Sequence, residues 1–448
     1  MQQITIKKLL FSQHPDPRLQ FPWNLVQLGL VVFPLSPLLG LVGLIAAVIV
    51  TWLRRYEAII RRRQILGFAL LSVLLIITSC FAYDKKESFI GLSNFVPYFV
   101  VFGAYSTLIQ TMRQLRQLSW IMVVMSVPVI IIGFGQLFLG WASSKQLESF
   151  LSVFGWVVLS GGNPPGRMAS VFMYANTLAG YLLIVFILGF GLWLESYQQL
   201  RANKKFREIS SLFPFLFLTM AVIGDFVGLI LTDSRNAWAI AIFACLVYAI
   251  YQGWRILVAG VAGVVATVLL AAFAPLPIAQ LFRKVVPVFF WARLNDQLYP
   301  NRAVGSLRAT QWDFAWALTL QRPLTGWGLR NFTPLYLART HEWLGHPHNL
   351  FLMLSCETGL INTVLFCSLI GWIFIGGVKL FQKLNVETED KLILFSYLLI
   401  VVSLVLFNTV DVSLYDVRLN SLSWIVVSAI AGVTYCYNRR ESLSSTTK

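Results

Sequence analysis

The sequence predicts an all-α, polytopic membrane protein, and three observations carry that reading. Of its 448 residues, 57% are hydrophobic and only 12% charged, against about a quarter charged in an average soluble chain. The charges are segregated: apolar runs, mostly long enough to cross a hydrocarbon core of about 30 Å as helices, alternate with short basic clusters. Backbone polar groups cannot stay unpaired in lipid, so these runs are helices, and the alternating pattern of a membrane β-barrel is absent.

About twelve crossings are expected. Residues 24–35 and 37–53 form two crossings, or a hairpin broken near Pro34 and Pro37, ahead of Arg54, Arg55, Arg61, Arg62 and Arg63. Residues 65–82 lead out and 91–109 lead back to Arg113 and Arg116. Residues 119–141 lead out again, to a loop ending near Arg167, and 172–194 return to Arg201, Lys204, Lys205 and Arg207. Then 212–232 and 237–252 make a tight hairpin with the tip TDSRN, and 256–275 lead out to a long segment, 277–347. The crossing 348–376 returns to Lys379 and Lys383, and 391–410 and 421–437 complete the set before Arg439 and Arg440. Apart from Lys85–Lys86 and the long segment, every basic cluster falls on one side, which the positive-inside rule makes cytoplasmic; both termini are expected there. No internal repeat or appended soluble domain is visible, so residues 1–448 read as one integral membrane domain, with 277–347 as its large, partly helical external loop.

This topology accounts for most of the net charge of +16, which otherwise suggests nucleic acid as a partner. The first 23 residues are largely polar and contain Pro15, Pro17 and Pro22, so a cleavable signal peptide is not expected. The five cysteines lie inside apolar runs without CxxC spacing and read as small core hydrophobes.

The informative residues are bases that break the positive-inside pattern. The long segment holds Arg283, Lys284, Arg293, Arg302, Arg308, Arg322, Arg330 and Arg339 against only Asp296, Asp313 and Glu342. Long loops translocate regardless of charge, which permits this excess; the arginine fork, suited to bidentate contact with phosphate, points further, to a polyanionic ligand. Within the segment SLRATQWDFAWALTLQ reads as an amphipathic helix, capped by Ser306 and ended by Arg322–Pro323, with Arg308, Trp312, Ala315, Trp316 and Thr319 along one stripe. Such a helix lies in the membrane interface, presents Arg308 to a headgroup while Trp312 and Trp316 cover lipid or sugar, or does both. In PLTGWGLRNF, Gly326 and Gly328 suggest a tight bend where backbone approaches another element.

HPHNLFLMLSCETGL places His346 and His348 where the next crossing begins, near the outer interface, where an imidazole can take a proton at neutral pH. The alternative is a helix start capped by Asn349 with solvated histidines. Zinc would need further ligands, for which only His341, Asp296, Asp313 and Glu342 offer themselves. Two more outward arginines sit in short connections: Arg167, and Arg235 at the hairpin tip, which either pairs with Asp233 or a carbonyl or holds an anion. Glu357 and Asp225 are the acids deepest in apolar runs; Glu357, nine residues after His348, should face away from it and bond a neighbouring helix.

Taken together, GRMASVFMYANTLAGY, the TDSRNAW tip, SLRATQWDFAWAL with PLTGWGLRNF, and HPHNLFLMLSCETGL resemble, in order and spacing, the Wzy_C superfamily of O-antigen ligases and polymerases. The resemblance covers residues 160–365, and the remainder by topology. It implies a GT-C-type glycosyltransferase of the bacterial inner membrane, working on the periplasmic face with no metal and no other cofactor. Such an enzyme moves a glycan from undecaprenyl diphosphate to an acceptor hydroxyl, on lipid A-core or another glycan, with inversion. The matching positions then acquire roles: Arg235 and Arg308 hold the donor diphosphate with Arg167 as a third contact, and His348 activates the acceptor hydroxyl, with His346 as the alternative base. Ligase and polymerase share these motifs. Two readings from other classes remain: an anion (bicarbonate) transporter, against which stands the absence of repeat symmetry, and a non-catalytic scaffold, which leaves the arginine–histidine set unexplained.

Overall fold

A computed structural model describes residues 13–144, 146, 148–203, 209–295, 307–384 and 389–446. Every regular element among them is helical, as the composition requires. In chain order the α-helices are α1 (Gln20–Val32), α2 (Pro37–Ile60), α3 (Arg63–Cys80), α4 (Lys85–Gly91), α5 (Val96–Leu108), α6 (Met112–Phe138), α7 (Glu148–Val153) and α8 (Ala175–Asn203). They continue with α9 (Ile209–Leu231), α10 (Arg235–Tyr251), α11 (Arg255–Phe273), α12 (Leu276–Arg283), α13 (Val288–Leu294), α14 (Arg308–Gln321), α15 (Phe332–Thr340), α16 (Leu350–Thr358), α17 (Leu360–Lys383), α18 (Glu389–Asn408) and α19 (Val417–Thr446).

Among the described residues, ten helical spans are long and apolar enough to cross a membrane, with α4 and α5 forming one span over Lys85–Leu108. Two of the expected crossings are shorter: α10 has 17 residues and α1 has 13. Local chemistry sets the boundaries. Pro37 opens α2 at a position where its missing N–H costs nothing, and Thr111 with Gln114 forms a reciprocal capping box at the start of α6.

The core runs along α8 and α19, in each of which 83% of the span is buried; α11, at 11%, stands on the rim. The bundle has two distinct ends. One gathers the basic clusters and pairs many of them: Arg116 with Glu195 (2.7 Å) and Asp390 (3.4 Å), Arg55 with Asp16, and Lys383 with Glu441 (2.5 Å). The other carries the long segment and the connections before α8, α10 and α19.

The structure corrects the expected crossing 348–376. Gly359, at φ +85°, breaks it into α16 and α17, and the amide of Leu360 donates to the Pro323 carbonyl (2.7 Å). A Cβ on Gly359 would lie 2.3 Å from the Leu324 carbonyl oxygen, so the break exists because the chain at 323–328 is inserted there. Helix α16 therefore belongs with the long segment.

Candidate functional site

The second half of the long segment folds around its own small core. Helix α14 buries Gln311, Ala315, Leu318 and Thr319, and Thr319 Oγ1 lies 3.0 Å from Ser355 Oγ of α16. Ala315, Leu318, Phe332, Tyr336 and Cys356 form the centre. The bend at Gly326 and Gly328 is as close as expected: both have positive φ, and the amides of Trp327 and Gly328 reach the carbonyls of Cys356 (2.9 Å) and Glu357 (2.8 Å). These are end-of-helix carbonyls that would otherwise lack partners. Glu357 accepts from the Phe332 amide (3.2 Å) at the start of α15, the neighbouring helix to which it was expected to bond. Burial pushes its carboxyl up to about 8, against the pull of the backbone amides of Arg330 and Phe332 and of the Arg330 charge. Asp225 is fully buried in α9.

This platform presents the histidines. Asn349 caps α16, its Oδ1 accepting from the amides of Phe351 and Leu352 (both 3.0 Å). Immediately before it, His348 takes a left-handed conformation (φ +51°), a strained choice for a non-glycine residue that brings the two imidazoles together, ring centroids 4.4 Å apart. The His348 amide donates to His346 Nδ1 (3.1 Å), and Trp312 Nε1 donates to the Pro347 carbonyl (3.1 Å), so α14 clamps the turn.

Asp411, in the connection between α18 and α19, completes the group. Its Oδ1 lies 3.4 Å from His348 Nδ1 and 3.9 Å from His346 Nε2. Its Oδ2 accepts from Asn176 Nδ2 (3.1 Å); Asn176 Oδ1 accepts from an Arg167 terminal nitrogen (2.6 Å), and Arg167 Nε donates to the Thr232 carbonyl (2.7 Å). Thr232 leads into the hairpin tip that bears Arg235, and Asn236 Nδ2 donates to the Phe407 carbonyl (3.2 Å), returning to the end of α18. One chain of bonds thus joins Arg167, the Arg235 tip, Asp411 and both histidines.

The electrostatics follow from burial. Burial pushes His346 down to about 4, helped by His348 and the Arg308 charge and opposed by Asp411, so this imidazole is neutral at neutral pH. Burial would raise the Asp411 carboxyl, but the hydrogen bond from His348 and the two imidazoles outweigh it and hold Asp411 below the usual carboxylate range.

His346, His348 and Asp411 are also a donor set of the kind that holds a divalent ion, all within 4.8 Å. The third donor, Asp411, was not among the ligands expected from the sequence; of those, Asp296 lies outside the described residues and His341 is exposed. A metal-bound histidine normally keeps its second nitrogen as a donor. Here Nδ1 of His346 accepts, which puts the ring proton on Nε2, the atom facing Asp411. That hydrogen-bonding pattern does not fit an ion bound through Nε2 of His346.

The expected stripe on α14 divides. Ala315 and Thr319 are buried because small residues allow the close approach to α16, whereas Trp316 is 47% exposed and Arg308 is exposed. Arg308 donates to Gln311 Oε1 (3.3 Å) and reaches the site through its charge on His346. Leu307, not Ser306, is the N-cap and makes no side-chain cap; Ser306 lies outside the described residues, as does Arg302. Three of the loop arginines have partners within the protein. Arg283 donates to the Ala271 carbonyl (2.8 Å), Arg322 to Phe81 (3.3 Å), and Arg330 pairs with Glu87 (3.2 Å).

Asp411, Asn176 and Tyr415, whose ring stacks on His346 at 5.9 Å, were not anticipated. Asn176 lies within GRMASVFMYANTLAGY, and Asp411 with Asp416 forms an acidic pair between two apolar runs.

A search of curated proteins returned no match. Residues 216–367 match the family model described as O-Antigen ligase, Wzy_C. The matched stretch contains Arg235, Arg308, His346 and His348, while Arg167, Asn176 and Asp411 lie outside it and are bonded to it. Over that stretch, about a third of its length, the chain is similar to the O-antigen ligase family.

Proposed function

We propose that the protein transfers a glycan from undecaprenyl diphosphate to an acceptor hydroxyl, as an O-antigen ligase does, on the periplasmic side and with inversion. The observation that carries this reading is the Asp411–His348 pair, to which Arg167 is bonded through Asn176. Asp411 Oδ1 faces His348 Nδ1, so a neutral His348 keeps its proton there and leaves Nε2 as the acceptor. Nε2 takes the proton of the acceptor hydroxyl as that oxygen forms its bond to the anomeric carbon. The bond from that carbon to the diphosphate oxygen breaks, and the electron pair leaves with the diphosphate. The growing charge falls to Arg235, Arg308 and Arg167, which stabilise it without a divalent ion. Asp411 supports the imidazolium that forms, and His346, neutral and packed on Tyr415, fixes the turn.

The same centre serves a polymerase, in which the acceptor is a second glycan in place of lipid A-core. The experiment is reconstitution with an undecaprenyl-diphosphate glycan and each acceptor, with and without chelator. Transfer that survives chelation and disappears in His348→Ala, with donor binding retained, is the expected result. Unchanged transfer in that variant overturns the assignment of the base, and bicarbonate flux without donor overturns the class.

A further inference from the structure

A cavity of about 420 Å³ lies between α16, α17, α18 and α19, inside the range of roughly 300–1,000 Å³ common for small-molecule sites. Its walls are largely apolar, among them Phe351, Phe366, Phe374, Val401 and Trp424; Asn408, Ser413 and Ser423 supply polar lining. Its upper rim is the candidate site itself. Leu350 and Phe351 follow the His348–Asn349 turn, and Asn408 and Ser413 flank Asp411. The Arg235 tip is tied to the same rim through Asn236 and Phe407. From Phe366 to Phe374 the wall descends about 12 Å along α17 at 1.5 Å per residue. The cavity is not enclosed: Val405 of α18, in its wall across from α17, is 43% exposed.

We propose that this cavity houses the hydrocarbon chain of the lipid-linked donor, an inference that rests on the transferase reading above. A diphosphate beside Arg235 and Arg167 stands at the rim, and a chain attached to it has a largely apolar path downward. The chain enters laterally without dragging its charged head through the bilayer. Ordinary phospholipid is the competing occupant, and the test separates the two.

Gly371 lines the cavity, and a Cβ placed there meets no other atom within 4 Å. Gly371→Leu therefore adds a side chain at the cavity wall with no clash at Cβ and removes a glycine from a helix interior, which favours folding. The probe is a long-chain polyprenyl diphosphate with a photoreactive group on its chain, added to the full-length protein in phosphatidylethanolamine–phosphatidylglycerol nanodiscs. Cross-links are expected at 366–374 and 401–405, competed by unlabelled long-chain polyprenyl diphosphate, resistant to excess phosphatidylglycerol, and reduced about tenfold in Gly371→Leu. Cross-links elsewhere, or equal competition by phosphatidylglycerol, overturn the proposal. Absence of glycan transfer with these cross-links intact counts against the transferase reading alone. Where transfer is measured, Gly371→Leu should raise KM about tenfold for a long-chain donor and less than about twofold for a two-isoprene donor; equal changes for both overturn the proposal.

Discussion

The two halves of the long segment are both rich in arginine and aromatic residues, yet they are built for different surroundings. The first half, α12 and α13, turns its apolar side chains outward: Leu276, Leu281 and Val285 are 67%, 62% and 79% exposed. Its Arg283 caps the end of α11 through the Ala271 carbonyl and stacks over Trp291 at 4.0 Å. The second half, α14 to α16, turns apolar groups inward around Phe332 and Tyr336 and presents polar groups to the Asp411 connection. Arg283 in the first half thus meets a carbonyl and a ring, whereas Arg308 in the second half stands where its charge acts on His346. Counting cations does not locate a site; the partner that each cation faces does.

The sharpest way to break this comparison is at the second half. His348→Ala, and Asp411→Asn with its volume kept, should each lower the turnover of glycan transfer by about 10²–10⁴-fold, the usual worth of general base catalysis. Retained turnover in both would leave the histidine turn a structural cap only. Next in size, Arg235→Lys and Arg308→Lys should lose about 10–10²-fold in kcat/KM, because a point charge cannot fork across two phosphate oxygens. The same exchange at Arg283 should leave transfer within about twofold. Equal losses at all three would erase the distinction between the halves.

A third effect is one of stability. The folded Glu357 carboxyl titrates at about 8, above its ordinary 4.5, so between those values the folded state keeps a proton that the unfolded chain has lost. The contribution of Glu357 to stability therefore falls as pH rises from about 4.5 to about 8. Thermal melts of Glu357→Gln should gain on the wild type as pH rises through that window, with hydrogen exchange slowing at 326–332. A constant difference across pH would refute the assignment. The smallest effect is expected for Lys284→Ala and Arg339→Ala, both at exposed positions: transfer should stay within about twofold.

Much of the architecture was legible because lipid makes a simple demand. Every backbone N–H and C=O in hydrocarbon must be paired locally, so long apolar runs such as 256–275 can only be helices. The exceptions are instructive. Residues 348–376 read as one crossing because nothing in their apolarity signals a break; Gly359 bends only because 323–328 packs against it. The stripe on α14 failed for a related reason. Helical spacing gives the phase of Arg308, Trp312 and Trp316 but not which side meets α16, and the small residues decided that.

For the candidate site, the residue types at His346, His348, Arg167 and Arg235 carried their own chemical signal: imidazoles and guanidinium groups stranded on an apolar outer face. The sequence by itself thus determined the helical membrane class and the titratable groups, since both follow from local composition and spacing. Tertiary structure alone decided that Asp411, 63 positions from His348, supplies its carboxylate partner. It also decided that Asn176 and Arg167 hold that carboxylate and that Arg283 faces a carbonyl. Such pairings depend on which helix ends meet, a long-range outcome of packing that no local window of residues contains.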